Sequence, residues 1–102
     1  MMDVRINHDN LTVIATGHAD APRNEDGRDM VCCAASTLIQ AFIFSCEALP
    51  GVMVTKKIRP GDVYLKLSTP DCHYTGVMHR MQMLEDGMTH LSAQFPSCIT
   101  MK

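Results

Sequence analysis

The tightest constraint on this chain is one apolar stripe with a stop at each end. Val31, Ala34, Ala35, Leu38, Phe42, Cys46 and Leu49 recur at helical spacing. Asp29 stands just before the stripe, where an N-cap carboxylate accepts free backbone N–H groups. Pro50-Gly51 stands just after it and ends the helix. A helix with one apolar face must be laid on another apolar surface, and the flanking sequence offers short β-branched stretches on both sides.

Asp3-Val4-Arg5-Ile6-Asn7 alternates as a strand does, His8-Asp9-Asn10 has turn chemistry, and Leu11-Thr12-Val13-Ile14-Ala15-Thr16 reads as the return strand of a hairpin. Beyond the helix, Val52 to Ile58 reads as a third strand, Arg59-Pro60-Gly61-Asp62 as a turn, and Val63-Tyr64-Leu65-Lys66-Leu67 as a fourth strand. A second helix is expected to open near Thr69 with Pro70 at its first helical position. Its stripe is Tyr74, Val77, Met78, Met81, Leu84, Met88 and Leu91, with Gly76 and Gly87 inside it and Pro96 at its end. Cys98-Ile99-Thr100-Met101 reads as an optional short edge strand. The order ββαββα predicts an α+β two-layer sandwich in one domain spanning 1–102: a mostly antiparallel sheet with both helices on one face.

Composition narrows the function classes. The 102 residues are 46% hydrophobic with a net charge of -2, enough apolar content to fold around one core. The only basic cluster, Lys56-Lys57-Ile58-Arg59, reads as a solvated strand end, so direct nucleic-acid binding is not expected. No apolar run approaches the roughly 20 residues of a membrane span, and the alternating, charged stretch from Met1 to Asn7 is no signal peptide, so no membrane partner is expected. The five cysteines, Cys32, Cys33, Cys46, Cys72 and Cys98, are odd in number and contain no C-x-x-C pair. Free thiols in the cytoplasm fit better than a disulfide scaffold or a structural zinc site. Cys72-His73 with His79 completes no four-ligand set, so His73, His79 and His90 read as solvated helix residues and no metal or other cofactor is expected.

Two neighbouring segments carry the chemistry. Gly17-His18-Ala19 places an imidazole at the end of the second strand, and Asp29-Met30-Val31-Cys32 places a thiol in the first turn of the helix. Between them the polar run Asp20-Ala21-Pro22-Arg23-Asn24-Glu25-Asp26-Gly27 reads as a loop. At about 100° per residue, Cys33 points away from the core stripe, among Thr37, Gln40, Phe44 and Glu47, while Cys32 lies at the stripe's edge beside Ser36 and Ile39. The unsatisfied N–H groups and dipole of the helix start favour a thiolate at Cys32 and offer donors to an oxyanion. Spacing alone leaves a second reading open, with Cys32 a small core residue and His18 a surface loop residue.

The run Gly17-His18-Ala19, a loop, then Gly27-Arg28-Asp29-Met30-Val31-Cys32-Cys33-Ala34-Ala35-Ser36 resembles the signature of the ribosomal-processing cysteine protease family, Prp: G-H-A, a mobile loop, then G-x-D-I-V-C-A-A-x-S. Gly87 and Gln94-Phe95-Pro96 resemble further family positions, so the likeness runs over essentially the whole chain. The resemblance implies a cysteine endopeptidase with Cys32 as nucleophile and His18 as its partner. Gly17, Asp29 and Ser36 match as supporting positions, and the loop from Asp20 to Gly27 as the segment that closes over substrate. It further implies a task and an assembly. Members remove a short N-terminal extension from large-subunit ribosomal protein number twenty-seven, cutting after a Phe-Phe pair, and act as cytoplasmic homodimers without a metal. This chain departs from the pattern in Met30, in Cys33, and in a longer loop made acidic by Asp20, Glu25 and Asp26. Two alternatives stay open: a non-catalytic ribosome-associated or peptide-binding module of the same fold, and a phage-head maturation protease. Phe44, projecting from the polar face of the first helix, reads equally as a dimer contact or a lone exposed residue.

Overall fold

The computed structural model describes residues 1–21 and 29–102. Strands β1 (Met2–Asn7) and β2 (Thr12–Thr16) form the first hairpin, followed by helix α1 (Met30–Glu47). Strands β3 (Met53–Arg59) and β4 (Asp62–Ser68) form the second hairpin, followed by helix α2 (Tyr74–Gln94) and strand β5 (Ile99–Met101). The five strands make one sheet in the order β3-β4-β2-β1-β5, antiparallel throughout except where β5 runs parallel to β1. The α+β sandwich expected from the sequence is the fold observed, and the optional last strand is present at the sheet edge.

Strand alternation decides which face is covered. Val4 pairs with Ala15, Val13 with Leu65 and Val54 with Leu67, and this face carries the buried positions. The opposite face carries Arg5, Thr12, Lys57 and Lys66, all at least partly exposed. Val4, Val13 and Leu65 have no exposed surface, and full burial of such a side chain contributes about 1.5–3 kcal/mol. Both helices close over that face and share its core. Val31, Ala35, Ile39, Phe42, Ile43 and Cys46 enter from α1, and Val77, Met81, Leu84 and Met88 from α2. α1 is long and apolar enough to cross a membrane by length and composition, but these six residues lie in the core.

The α1 stripe is rotated from its expected position. Ile39 and Ile43 are buried, whereas Ala34, Leu38 and Leu49 are only partly so. α1 packs on α2 as well as on the sheet, and Leu38 lies against Gly87 of α2, where an added Cβ would be 3.1 Å from Leu38 Cδ1. The Arg80 guanidinium pins the two helices together, its Nε donating to the Ser45 carbonyl at 3.1 Å and to Ser45 Oγ at 2.7 Å. The start of α2 is also later than expected. Pro70, extended at φ -65 and ψ 153, precedes a 3-10 turn at Asp71–His73, and the α-helix begins at Tyr74. Tyr74 is 48% exposed there rather than part of the core.

Candidate active site

α1 begins where the sequence places it. The Asp29 side chain turns back over the first turn, and its Oδ1 accepts the Cys32 N–H at 2.9 Å. Its Oδ2 accepts the Ala21 N–H at 3.1 Å, so one carboxylate fixes both the helix start and the end of the described segment before it. Asp29 is buried, and burial alone raises its pKa. The hydrogen bonds from Cys32 and Ala21 outweigh that and hold the carboxyl below its ordinary value.

Cys32 follows in the first turn, half-buried, and lines a cleft of about 440 Å³. His18 lines the same cleft, along with Gly17, Ser36, Ile39 and Gln40. The backbone N–H of Ala19, the residue after His18, donates to Cys32 Sγ at 3.3 Å, which ties the end of the Gly-His-Ala segment to the thiol. The two segments that the sequence separates by a loop therefore meet in space. Cys33 is exposed on the far side, as the helical wheel predicts. Gln40, also exposed, borders the cleft one turn beyond Ser36.

The electrostatics differ from the expectation of a helix-start thiolate. The Cys32 pKa is raised above the ordinary thiol value, first by burial and then by the negative charge of Asp29 with a smaller push from Asp20. The Ala19 N–H opposes this by donating to the sulfur. The physical reason lies in the cap. Asp29 occupies the Cys32 N–H, which a helix start otherwise leaves free, and places a carboxylate beside the thiol. In this conformation the sulfur is favoured as S–H, and that backbone donor is already engaged.

The remaining expected positions are placed unevenly. Gly17 has φ +88 at the end of β2, and a Cβ there would run into the Met1 carbonyl, so only glycine fits. Ser36 lies exposed on the cleft side of α1. Asp20 is exposed at φ +56, with Oδ2 3.1 Å from the Met1 amino nitrogen. Ala21 is held by Asp29. Pro22, Arg23, Asn24, Glu25, Asp26 and Gly27, the rest of the expected substrate loop, lie outside the described residues. Among the described residues no group of three His, Cys, Asp or Glu side chains is arranged to hold a metal ion.

One wall of the cleft was not anticipated. Ile58, Arg59, Pro60, Gly61, Asp62 and Val63, the tip of the β3–β4 hairpin, face α1 across it. Pro60-Gly61 between two β-branched runs marks a turn in the sequence, but nothing in the spacing says which site that turn borders.

The sequence matches the profile of the family described as cysteine protease Prp over residues 1–100. The chain belongs to the cysteine protease Prp family. No curated protein matches it. Its fold is similar to that of the essential ribosomal processing protease Prp from S. aureus, crystallised with a covalently linked product peptide. That match has a TM-score of 0.78 and 19% identity, covering 99% of this chain and 95% of that one. The same S. aureus protease with a substrate peptide gives a TM-score of 0.73 at 18% identity, covering 99% and 95%. SMU.848 from Streptococcus mutans gives 0.66 at 26% identity, covering 99% of this chain and 90% of that one. As a Prp family member the chain is a cysteine protease, and the cleft containing Cys32 and His18 is its candidate catalytic centre.

Proposed function

We propose that this protein is a cysteine endopeptidase that uses Cys32 as nucleophile and His18 as proton carrier. In this reading it removes a short N-terminal extension from large-subunit ribosomal protein number twenty-seven, cutting after an aromatic pair, in the cytoplasm. The observation that carries the reading is the shared cleft: Cys32 and His18 from separate segments border one cavity of about 440 Å³, and the segments touch through the Ala19 N–H to Cys32 Sγ contact. A cavity of that size accepts a large side chain. The floor supplied by Met2, Ala15, Ile39, Ile58 and Val63 is apolar, which suits an aromatic one.

The chemistry runs in two halves. Cys32 Sγ, having passed its proton to His18, attacks the scissile carbonyl carbon and forms a tetrahedral intermediate. The C–N bond then breaks as His18 returns the proton to the leaving amine, and a thioester remains on Cys32. His18 next takes a proton from water, whose oxygen attacks the thioester, and Cys32 leaves with the proton restored. The S. aureus Prp structure with a covalently linked product peptide supports this route, since a linked product is the kind of species it passes through. A thiol that rests protonated suits an enzyme that is quiet until substrate arrives.

The reading includes a homodimer, and Phe44, 69% exposed on α1, is its candidate contact. The deciding experiment is incubation with a peptide containing Phe-Phe-Ala. Wild type cleaves after the second Phe, whereas Cys32→Ala and His18→Ala do not. Normal cleavage by Cys32→Ala would discard the mechanism. A wild type that binds the peptide without cutting it would favour the binding-module alternative.

A further inference from the structure

The His18 ring is seated on a residue of the neighbouring hairpin, whose strand β4 pairs with β2. Gly61, in the β3–β4 turn, lies so close that a Cβ built on it would stand 2.7 Å from His18 Nε2, 3.1 Å from Cε1 and 3.3 Å from Cδ2. All three atoms belong to the distal end of the imidazole, so the ring end rests directly on the glycine backbone. The same turn is laced to the base of His18, because the Gly61 carbonyl accepts the Gly17 N–H at 2.8 Å. Gly61 has φ +72, a left-handed value that Pro60 beside it cannot adopt, so its backbone shape and its missing side chain are both in use.

We propose that Gly61 is a positioning residue for His18, its bare Cα forming the seat that sets where the imidazole stands in the cleft. His18 is exposed, and the ring is the far end of a mobile side chain, so a substituent on Gly61 moves the ring and leaves the sheet in place. Catalysis then suffers because proton transfer to and from Cys32 requires the ring within hydrogen-bond reach. The catalytic part of this inference rests on His18 acting as the proton carrier.

Gly61→Asn is the informative variant, since Asn tolerates a left-handed backbone while adding a Cβ. Gly61→Ala adds the same Cβ with more backbone strain. Gly51→Ala is the control: Gly51 has φ +83 and its Cβ would meet Pro70 Cγ at 3.2 Å, a comparable backbone demand far from His18. Each protein is assayed on the Phe-Phe-Ala peptide, and the His18 ring resonances are followed by NMR through a pH titration in the Cys32→Ala background, where no turnover is required. Gly61→Asn and Gly61→Ala are expected to lower kcat at least tenfold with KM changed less than threefold, to shift the acid limb of the kcat/KM pH profile, and to move the His18 ring resonances. Gly51→Ala keeps kcat and those resonances while losing thermal stability. Wild-type kcat and unmoved His18 resonances in folded Gly61→Asn overturn the inference, as does an equal loss of kcat in Gly51→Ala. If wild type leaves the Phe-Phe-Ala peptide uncut, the proposed specificity falls, while the resonances still report whether Gly61 seats the ring.

Discussion

Asp29 and Cys32 are joined by a 2.9 Å hydrogen bond from the Cys32 N–H to the Asp29 carboxylate, within the first turn of α1. That bond builds the helix start that presents the sulfur, and its negative charge opposes ionisation of the same sulfur. One residue thus places the thiol and restrains its ionisation.

Alkylation of Cys32 tests that restraint. Iodoacetamide labelling, read by peptide mass spectrometry across pH, is expected to rise only above the ordinary thiol range, whose reference value is 9.0. Asp29→Asn removes the charge but keeps a capping oxygen, so its labelling curve moves to lower pH. Burial still acts on the sulfur, so the curve does not drop to neutrality. A curve for Asp29→Asn that coincides with wild type would rule out the electrostatic part.

Acid stability follows from the same carboxylate. Its folded-state pKa lies below the reference value of 3.8, so its contribution is present above that pH and is lost as pH falls through the folded-state value. Asp29→Ala is expected to lose about 1 kcal/mol of unfolding free energy at neutral pH. That deficit shrinks in acid, where wild type loses the same contribution. Urea denaturation at several pH values measures both.

Cys46 sets an opposite trend at alkaline pH. It is fully buried in α1, and burial pushes its thiol up to about 11 from 9.0. In the unfolded chain the thiol ionises first, so stability falls as pH rises through that window. Cys46→Ala is expected to be less stable than wild type at pH 7, because it leaves a cavity, yet to decline less steeply between pH 9 and 11. Parallel slopes in chemical denaturation would count against the assignment.

The contact between Gly87 and Leu38 sets how closely the helices approach. Gly87→Val forces a branched side chain against Leu38 Cδ1 and is expected to destabilise the fold by about 1–3 kcal/mol through overpacking. Leu38→Ala in the same chain relieves the clash, so the double variant is more stable than the sum of the two single losses. Denaturant midpoints for the four proteins close the cycle.

Much of this architecture is local and therefore readable in sequence. The Asp29 cap, the Pro50-Gly51 stop and the β-branched runs act within a few residues, and they mark the helix and both hairpins correctly. The Gly-His-Ala and Asp-Met-Val-Cys segments also meet as their resemblance implies. Longer-range choices are not encoded that way. Nothing near Leu38 announces that α2 offers it a glycine, which is why the α1 stripe turns toward Ile39 and Ile43. At Cys32 the Asp29 carboxylate takes an N–H that a helix start otherwise leaves free, and its charge then opposes the thiolate that the dipole favours. Gly61 reads as a plain turn residue until the fold brings it beneath His18.

The parallel pairing of β5 with β1 has a consequence for the order of assembly. Met2 takes its place beside Ile99, so β1 waits for β5 before its outer edge is satisfied. Each hairpin forms from neighbours, whereas this seam joins strands separated by every other element of the fold, a pairing expected to come late in folding. Until it closes, the chain carries an open strand edge of the kind that invites association with another chain.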